Sequence, residues 1–224
     1  VLVASGSGWG ALENLRRSKT GEAPLSAHLD FGSIGCEQEP WAFLLENGYN
    51  QDAGQDEIPG SWMYQAEWTK MLEKSALGAD RYNWYTYLQL GMIYFVEQKY
   101  MKSKEALDRS MTLKPSCWAL YGLSNIARME NDDRKSAMLA ARASLMKPDD
   151  ISLAKEAMKQ MLNSDMYTEM LNFIGKLADN VKEVGRIKLY EAFAYLRTGD
   201  IEKAEELIYQ DGGISVPDIR EGEN

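Results

Sequence analysis

From Ser61 to about Gln210 the apolar residues recur three and four positions apart, the period of an α-helix with one buried face. That pattern predicts helices at about 61–76, 81–97, 100–113, 117–130, 133–146, 150–163, 165–178, 183–197 and 200–210. The intervals between them are only two to five residues. Neighbouring helices must therefore form antiparallel hairpins. Ser116, Asp149 or Asp150, and Asp200 stand where a helix N-cap is needed. Ahead of residue 60 the pattern is different. Loop signals crowd together in "GSGWG", "KTGEAP", "DFGSIG" and "NGYNQDAGQDEIPG", around a strand-like "VLVAS" and two helix-like runs, "WGALENLRRS" and "EPWAFLLENG". Pro40 suits a first helical turn and Gly48 a helix end. Two regions are expected: an irregular cap over 1–60 and an all-helical array over 61–224.

Within the array the helix pairs repeat. "WYTYLQLGMIYFVEQKYMKSKEALDRSMTLKP", residues 84–115, carries Leu90, Gly91, Tyr94, Tyr100, Ser103, Leu107, Ser110 and Pro115. Gly91 and Ser103 are small enough to let two helices approach. Tyr94, Tyr100 and Leu107 fill the space beside them. A second copy ends at Pro148 with small residues Ala137, Ala141 and Ala143. A third is looser, runs to about Asn180, and has Met170 and Ile174 at packing positions. In a fourth, "GRIKLYEAFAYLRTGDIEKAEELI", Gly199 ends one helix and Asp200 caps the next, with Ala192, Tyr195 and Ala204 packing. "SWMYQAEWTKMLEKS" is read as a degenerate unit that caps the stack.

These units resemble the tetratricopeptide repeat. The resemblance implies an all-α fold, a right-handed α-solenoid of antiparallel hairpins, and a groove lined by the first helix of each hairpin. The positions similar to that groove are Tyr85, Leu88 and Met92, then Trp118, Tyr121, Asn125 and Arg128, then Arg186, Leu189 and Arg197. Rings interleaved with Arg and Asn suit an extended peptide or a glycan. Several of these rings could equally be interhelical core. "GSGWGALE", "EQEPWAFLLENG", "WALYGLSNIA", "GRIKLYEA" and "VPDIREGEN" further resemble the C-terminal part of a family of uncharacterised bacterial proteins. In that family a β-rich, mutarotase-like domain precedes a tetratricopeptide tail. The implied role is a non-catalytic interaction or interdomain scaffold in a larger, carbohydrate-related protein. Its partners would be an upstream domain, a protein or peptide, or a second copy of the chain. Both ends of the sequence look cut, and the cap would be a remnant of contact with that domain.

Composition narrows the alternatives. The formal charge of −9 repels phosphate backbones and argues against nucleic acid. No apolar run reaches the ~20 residues of a membrane span. Cys36 and Cys117 lack metal spacing, and reduced thiols in the cytoplasm are expected. Gly6, Gly8 and Gly10 give G-x-G-x-G, neither a dinucleotide fingerprint nor a P-loop, so a tight turn with Trp9 packed on the array is preferred. Asp52, Asp56 and Glu57 do not follow a calcium-loop pattern. His28 is the only histidine, which leaves little for a zinc site or a Ser-His-Asp triad. No catalytic residue, metal or cofactor is expected. The alternative is a carbohydrate-active site shared with the upstream domain, with Trp9, Glu37, Glu39 and Trp41 facing a glycan. Glu37 and Glu39 also suit a helix N-terminus, where negative charge is favourable.

Overall fold

A computed structural model describes residues 6–26, 28–51, 54, 60–209 and 213–216. The strand-like run at 1–5 and the carboxylates Asp52, Asp56 and Glu57 lie outside the described residues. Among those residues there are twelve helices and no strand. They divide at Pro115/Ser116 into two compact units.

The first unit holds α1 (Trp9–Thr20), α2 (Glu39–Asn47), α3 (Ala66–Leu77), α4 (Trp84–Val96) and α5 (Tyr100–Leu113). The cap is joined to the helices that follow it by a common core. Leu12 of α1, Trp41 and Leu44 of α2, Trp68 and Leu72 of α3, and Leu90 and Ile93 of α4 are all buried in one cluster. Trp41 and Trp68 meet edge to face, 5.7 Å between centroids. The glycines of "GSGWG" serve a close backbone approach. Gly6 N donates to Asp30 O (2.9 Å) and Gly8 N to Phe31 O (2.8 Å). A Cβ on Gly6 would lie 2.5 Å from the Phe31 backbone. At the other end of α1 the nearly buried Arg16 bridges Glu13 and Glu22, with N–O distances of 2.8 Å to each. Its hydrogen bonds hold the Glu22 carboxyl down to about 2.

The second unit holds α6 (Cys117–Met129), α7 (Asp133–Met146), α8 (Ile151–Asn163), α9 (Tyr167–Ile174), α10 (Asp179–Lys182), α11 (Gly185–Thr198) and α12 (Ile201–Tyr209). The pairs α6/α7, α8/α9 and α11/α12 are hairpins, stacked as in a tetratricopeptide-like solenoid. Alanines of α7 and α8 (Ala137, Ala140, Ala154, Ala157) meet the larger Met158, Met161 and Met170 and the buried Ile187. With α4/α5, the hairpins begin at Trp84, Cys117, Ile151 and Gly185, a recurrence of 33 or 34 residues.

Two features set that recurrence. One is the seat between paired helices. Ser103 Oγ donates to Gly91 O (2.7 Å), and a Cβ on Gly91 would lie 2.6 Å from the Leu107 side chain. At the matching positions of α6/α7, Ser124 and Ser136 exchange hydroxyl-to-carbonyl bonds of 2.9 and 2.8 Å. The other is the turn. Gln98, Asn131, Asp165 and Gly199 all take positive φ (60°, 61°, 52° and 87°). The next residue's N–H then reaches back to the carbonyl five residues earlier: Lys99 to Tyr94, Asp132 to Ala127, Met166 to Met161, Asp200 to Tyr195. That is a Schellman-type closure repeated four times. Ser116, Asp150 and Asp200 do cap α6, α8 and α12 through side-chain oxygens.

Three helix boundaries differ from the periodicity. The helix expected from 61 begins at Ala66, after an extended Gln65. The helix expected from 81 begins at Trp84, after the N-cap Asn83. The one expected over 165–178 stops at Ile174, because Ala178 N leaves the helix to bond Pro148 O (3.1 Å). Leu177 and Val181 then fold back into the core.

Gly91→Leu should overpack the α4/α5 seat and lower stability by about 1–3 kcal/mol, read as the denaturant midpoint; an unchanged midpoint would rule out the close contact. Gln98→Gly should act in the opposite direction. A non-glycine residue in the left-handed region costs about 1–2 kcal/mol and glycine's extra chain entropy about 0.5–1 kcal/mol, so a small gain in midpoint is expected.

Candidate functional site

In the second unit α6, α8 and α11 are the first helices of successive hairpins. α8 is tied to α6 by side-chain bonds and packs directly on α11. Their recurrence carries each position of α6 onto α8 and α11, so one stripe of residues can be followed across the three.

On α6 the stripe begins with Trp118, half-buried, with Lys147 Nζ 5.4 Å from its ring centroid. Tyr121 is half-buried. Burial first, then the charge of Glu156, raises its hydroxyl pKa, so it remains a neutral donor. Asn125 is buried and accepts from Arg128 Nη2 (3.0 Å). Arg128 is exposed, with Nη1 3.8 Å from Glu156 Oε1 on α8. Gln160 Nε2 donates to the same Glu156 oxygen (3.0 Å). Gln160 Oε1 shares the Ser136 hydroxyl proton (2.7 Å) with the Ser124 carbonyl and lies 3.0 Å from the Ser124 hydroxyl. This chain of bonds walls a cleft of about 120 Å³ that also includes Asp133, Lys159 and Asn163.

On α11, Leu189, Phe193 and Leu196 are 38%, 40% and 45% exposed, an apolar row left open by the fold. Arg186 lies partly buried at its start and Arg197 exposed at its end. The Arg197 guanidinium sits 5.1 Å from the Tyr167 ring centroid and 5.9 Å from that of Phe193, and those rings meet at 6.0 Å. The cation is held between aromatic faces before any ligand arrives. The residues that match Trp118, Tyr121, Asn125, Arg128 and Met129 are Ser152, Lys155, Lys159, Leu162 and Asn163 on α8, and Arg186, Leu189, Phe193, Leu196 and Arg197 on α11. This set includes five cations and no carboxylate, in a chain whose formal charge is −9.

The structure thus brings together Trp118, Tyr121, Asn125, Arg128, Arg186, Leu189 and Arg197 on one unit. Glu156, Lys159, Gln160, Asn163, Phe193 and Leu196 belong with them and were not singled out from the sequence. Carrying Asn125 forward by 34 residues twice would have found Lys159 and Phe193.

Tyr85 and Met92 are partly buried on α4 of the first unit, where the Tyr85 hydroxyl accepts from Gln89 Nε2 (2.8 Å). Leu88 is a correction. It has no exposed surface, because α4 is apolar nearly all round and is buried nearly all round. Trp41 is another. Its ring belongs to the cap core, 4% exposed, and its indole N–H donates to Ser61 O (3.1 Å). It does not face outward beside Glu37 and Glu39, which are exposed at the start of α2. Trp9 packs partly buried against the same core. His28 is exposed in the loop after α1. Cys36 and Cys117 are free thiols, exposed and buried respectively. Among the described residues no cluster of three or more His, Cys, Asp or Glu could hold a metal, and no helix is long and apolar enough to cross a membrane.

No protein-family model and no curated protein sequence matches the chain. Two of the solved structures similar to it are the following. One is YrrB, a tetratricopeptide protein with an unusual peptide-binding site: 15% identity over 63% of this chain and 73% of that one, TM-score 0.48. The other is MamA: 18% identity over 62% and 76%, TM-score 0.47.

The bond between α7 and α8 is open to a double-mutant cycle with Ser136→Ala and Gln160→Met. A coupling of about 0.5–1.5 kcal/mol in unfolding free energy is expected for a buried hydrogen bond; strict additivity would mean the two side chains do not interact.

Proposed function

We propose that the second unit is a peptide-binding scaffold whose α6–α8–α11 stripe takes an acidic, extended protein segment with apolar anchors. The observation that carries this reading is the coincidence of five cations and an exposed apolar row at matching positions of three adjacent helices, an excess of positive charge over the neighbouring Glu156 and Asp165 that pair with Arg128 and Arg197. Packing accounts for neither. The row is not used by the core, and exposed cations return about 0–1 kcal/mol each from ion pairing. A bound chain would lay side chains on Phe193 and Leu196 and offer carboxylates to Arg186, Arg128 and Lys159. Rigid rings supply contact area at low entropic cost and the Arg forks supply paired hydrogen bonds.

The segment can belong to another protein or to a domain upstream in the same polypeptide, as the resemblance to the bacterial family implies. Its relation to carbohydrate rests on that resemblance alone, and the buried Trp41 weakens the reading of the cap as a glycan-facing surface.

A display library of random peptides panned on the chain tests the proposal. The expected selectants are Asp- and Glu-rich with one or two large apolar residues. Their affinity should fall as salt rises, and drop about tenfold or more in Phe193→Ala/Arg186→Glu with the helical circular dichroism unchanged. Basic or charge-indifferent selectants, or full affinity in the double variant, would reject it.

A further inference from the structure

A second recognition feature lies in the first unit. The turn between α3 and α4 and the segment after α2 border an open cleft of about 470 Å³. Its walls include the rings of Phe43, Tyr49 and Tyr82 and the polar side chains of Asn50, Asp80 and Asn83.

Asp80 is 3% exposed. Its Oδ2 receives three donors: Asn50 N (2.7 Å), the Thr86 hydroxyl (2.9 Å) and the Ser75 hydroxyl. Asn50 Nδ2 in turn donates to Thr86 Oγ1 (2.8 Å), which fixes the direction of the network. Oδ1 has only Asn83 Nδ2, at 3.5 Å, the limit of a hydrogen bond. Among the described residues no Lys, Arg or His lines the cleft or forms an ion pair with Asp80; the nearest cation noted is Arg81, on the Tyr82 ring. The carboxylate is therefore held in place by its donors, has no ion-pair partner among the described residues, and has a single long donor at Oδ1. A buried charge in that condition is stabilised by a cation.

The walls suit the same group. Phe43 and Tyr49 meet edge to face at 5.3 Å, and Tyr49 and Tyr82 are 41% and 68% exposed. Tyr82 already accepts a cation on its ring, the Arg81 guanidinium 4.9 Å from the centroid. We infer that this cleft binds an alkylammonium group, paired to Asp80 Oδ1 and flanked by the tyrosine rings. The group can be a free amine or the lysine side chain of a peptide.

The experiment is a titration of the 15N-labelled chain, following the side-chain amides of Asn50 and Asn83. The probes are 1,5-diaminopentane, acetyl-Gly-Lys-Gly-amide, and the neutral isostere 1,5-pentanediol. Both amines should shift these amides saturably, more weakly as salt rises, and the diol should not. Asp80→Asn should weaken diaminopentane binding about tenfold or more, the loss of a charge-assisted contact. Tyr82→Ala, at an exposed ring that the fold does not need, should weaken it about threefold. A tighter tripeptide marks a lysine side chain as the natural occupant, and a tighter diamine marks a free amine. The inference is overturned if the diol shifts the amides as the diamine does, if no probe shifts them, or if Tyr82→Ala and a folded Asp80→Asn both bind as the parent does. Should Asp80→Asn fail to fold, the diol comparison and Tyr82→Ala still decide.

Discussion

The close seat between the two helices of a hairpin is the contact on which the rest depends. At Gly91 the α4 backbone comes so near α5 that no side chain fits, and the Ser103 hydroxyl uses the proximity to reach the Gly91 carbonyl. At Ser124 and Ser136 two small hydroxyls make the same approach and turn it into a reciprocal pair of bonds. Both solutions satisfy a polar group inside an apolar interface, where an unpaired one would cost about 1–3 kcal/mol. The seat also fixes register. A hydroxyl that must meet one carbonyl cannot slide along the neighbouring helix. Once pairing is fixed, the 33- or 34-residue recurrence places matching positions of α6, α8 and α11 side by side. The stripe of aromatic, amide and cationic residues is a consequence of that recurrence.

The turns divide the same labour differently. Four hairpins reverse through a residue in the left-handed region, yet only Gly199 announces it. Gln98, Asn131 and Asp165 adopt the same conformation without glycine's freedom. The seat and the back-reaching N–H hold them there, so the local conformation is set by tertiary packing against intrinsic preference. That is why the "GDIEKA" signal is plain in the fourth repeat and silent in the others. The helices, by contrast, were legible nearly to their ends, since the three- and four-residue spacing and the caps at Ser116, Asp150 and Asp200 act locally.

What sequence could not supply was facing. α4 is apolar on every side, so periodicity cannot say that Leu88 points inward while Met92 stays partly exposed. Trp41 beside two glutamates suggests a sugar platform, but its indole N–H has found Ser61 O and its ring the edge of Trp68. The Asp80 network is hidden for another reason. Its donors come from residues 50, 75 and 86, three segments with no common period, and only the folded chain brings them to one oxygen. The break after Ile174 is likewise made by a distant carbonyl, that of Pro148.

The two recognition surfaces argued above follow opposite electrostatic logics, and the difference lies in solvent. On the stripe Arg128, Lys159 and Arg197 stand in water. Each is screened and replaceable, so they bias which segment arrives and contribute to affinity through their number. Arg128, at 3.8 Å from Glu156 and exposed, illustrates how little such a charge gives the fold. Asp80 is the reverse: a single carboxylate, removed from water, with one oxygen aligned by three donors and the other reached only by the long contact from Asn83. A surface of the first kind tolerates variation in what it binds. A site of the second kind selects one group by sign and geometry. Within this chain, breadth of partner belongs to α6, α8 and α11, and discrimination of a single small group belongs to the α3–α4 turn.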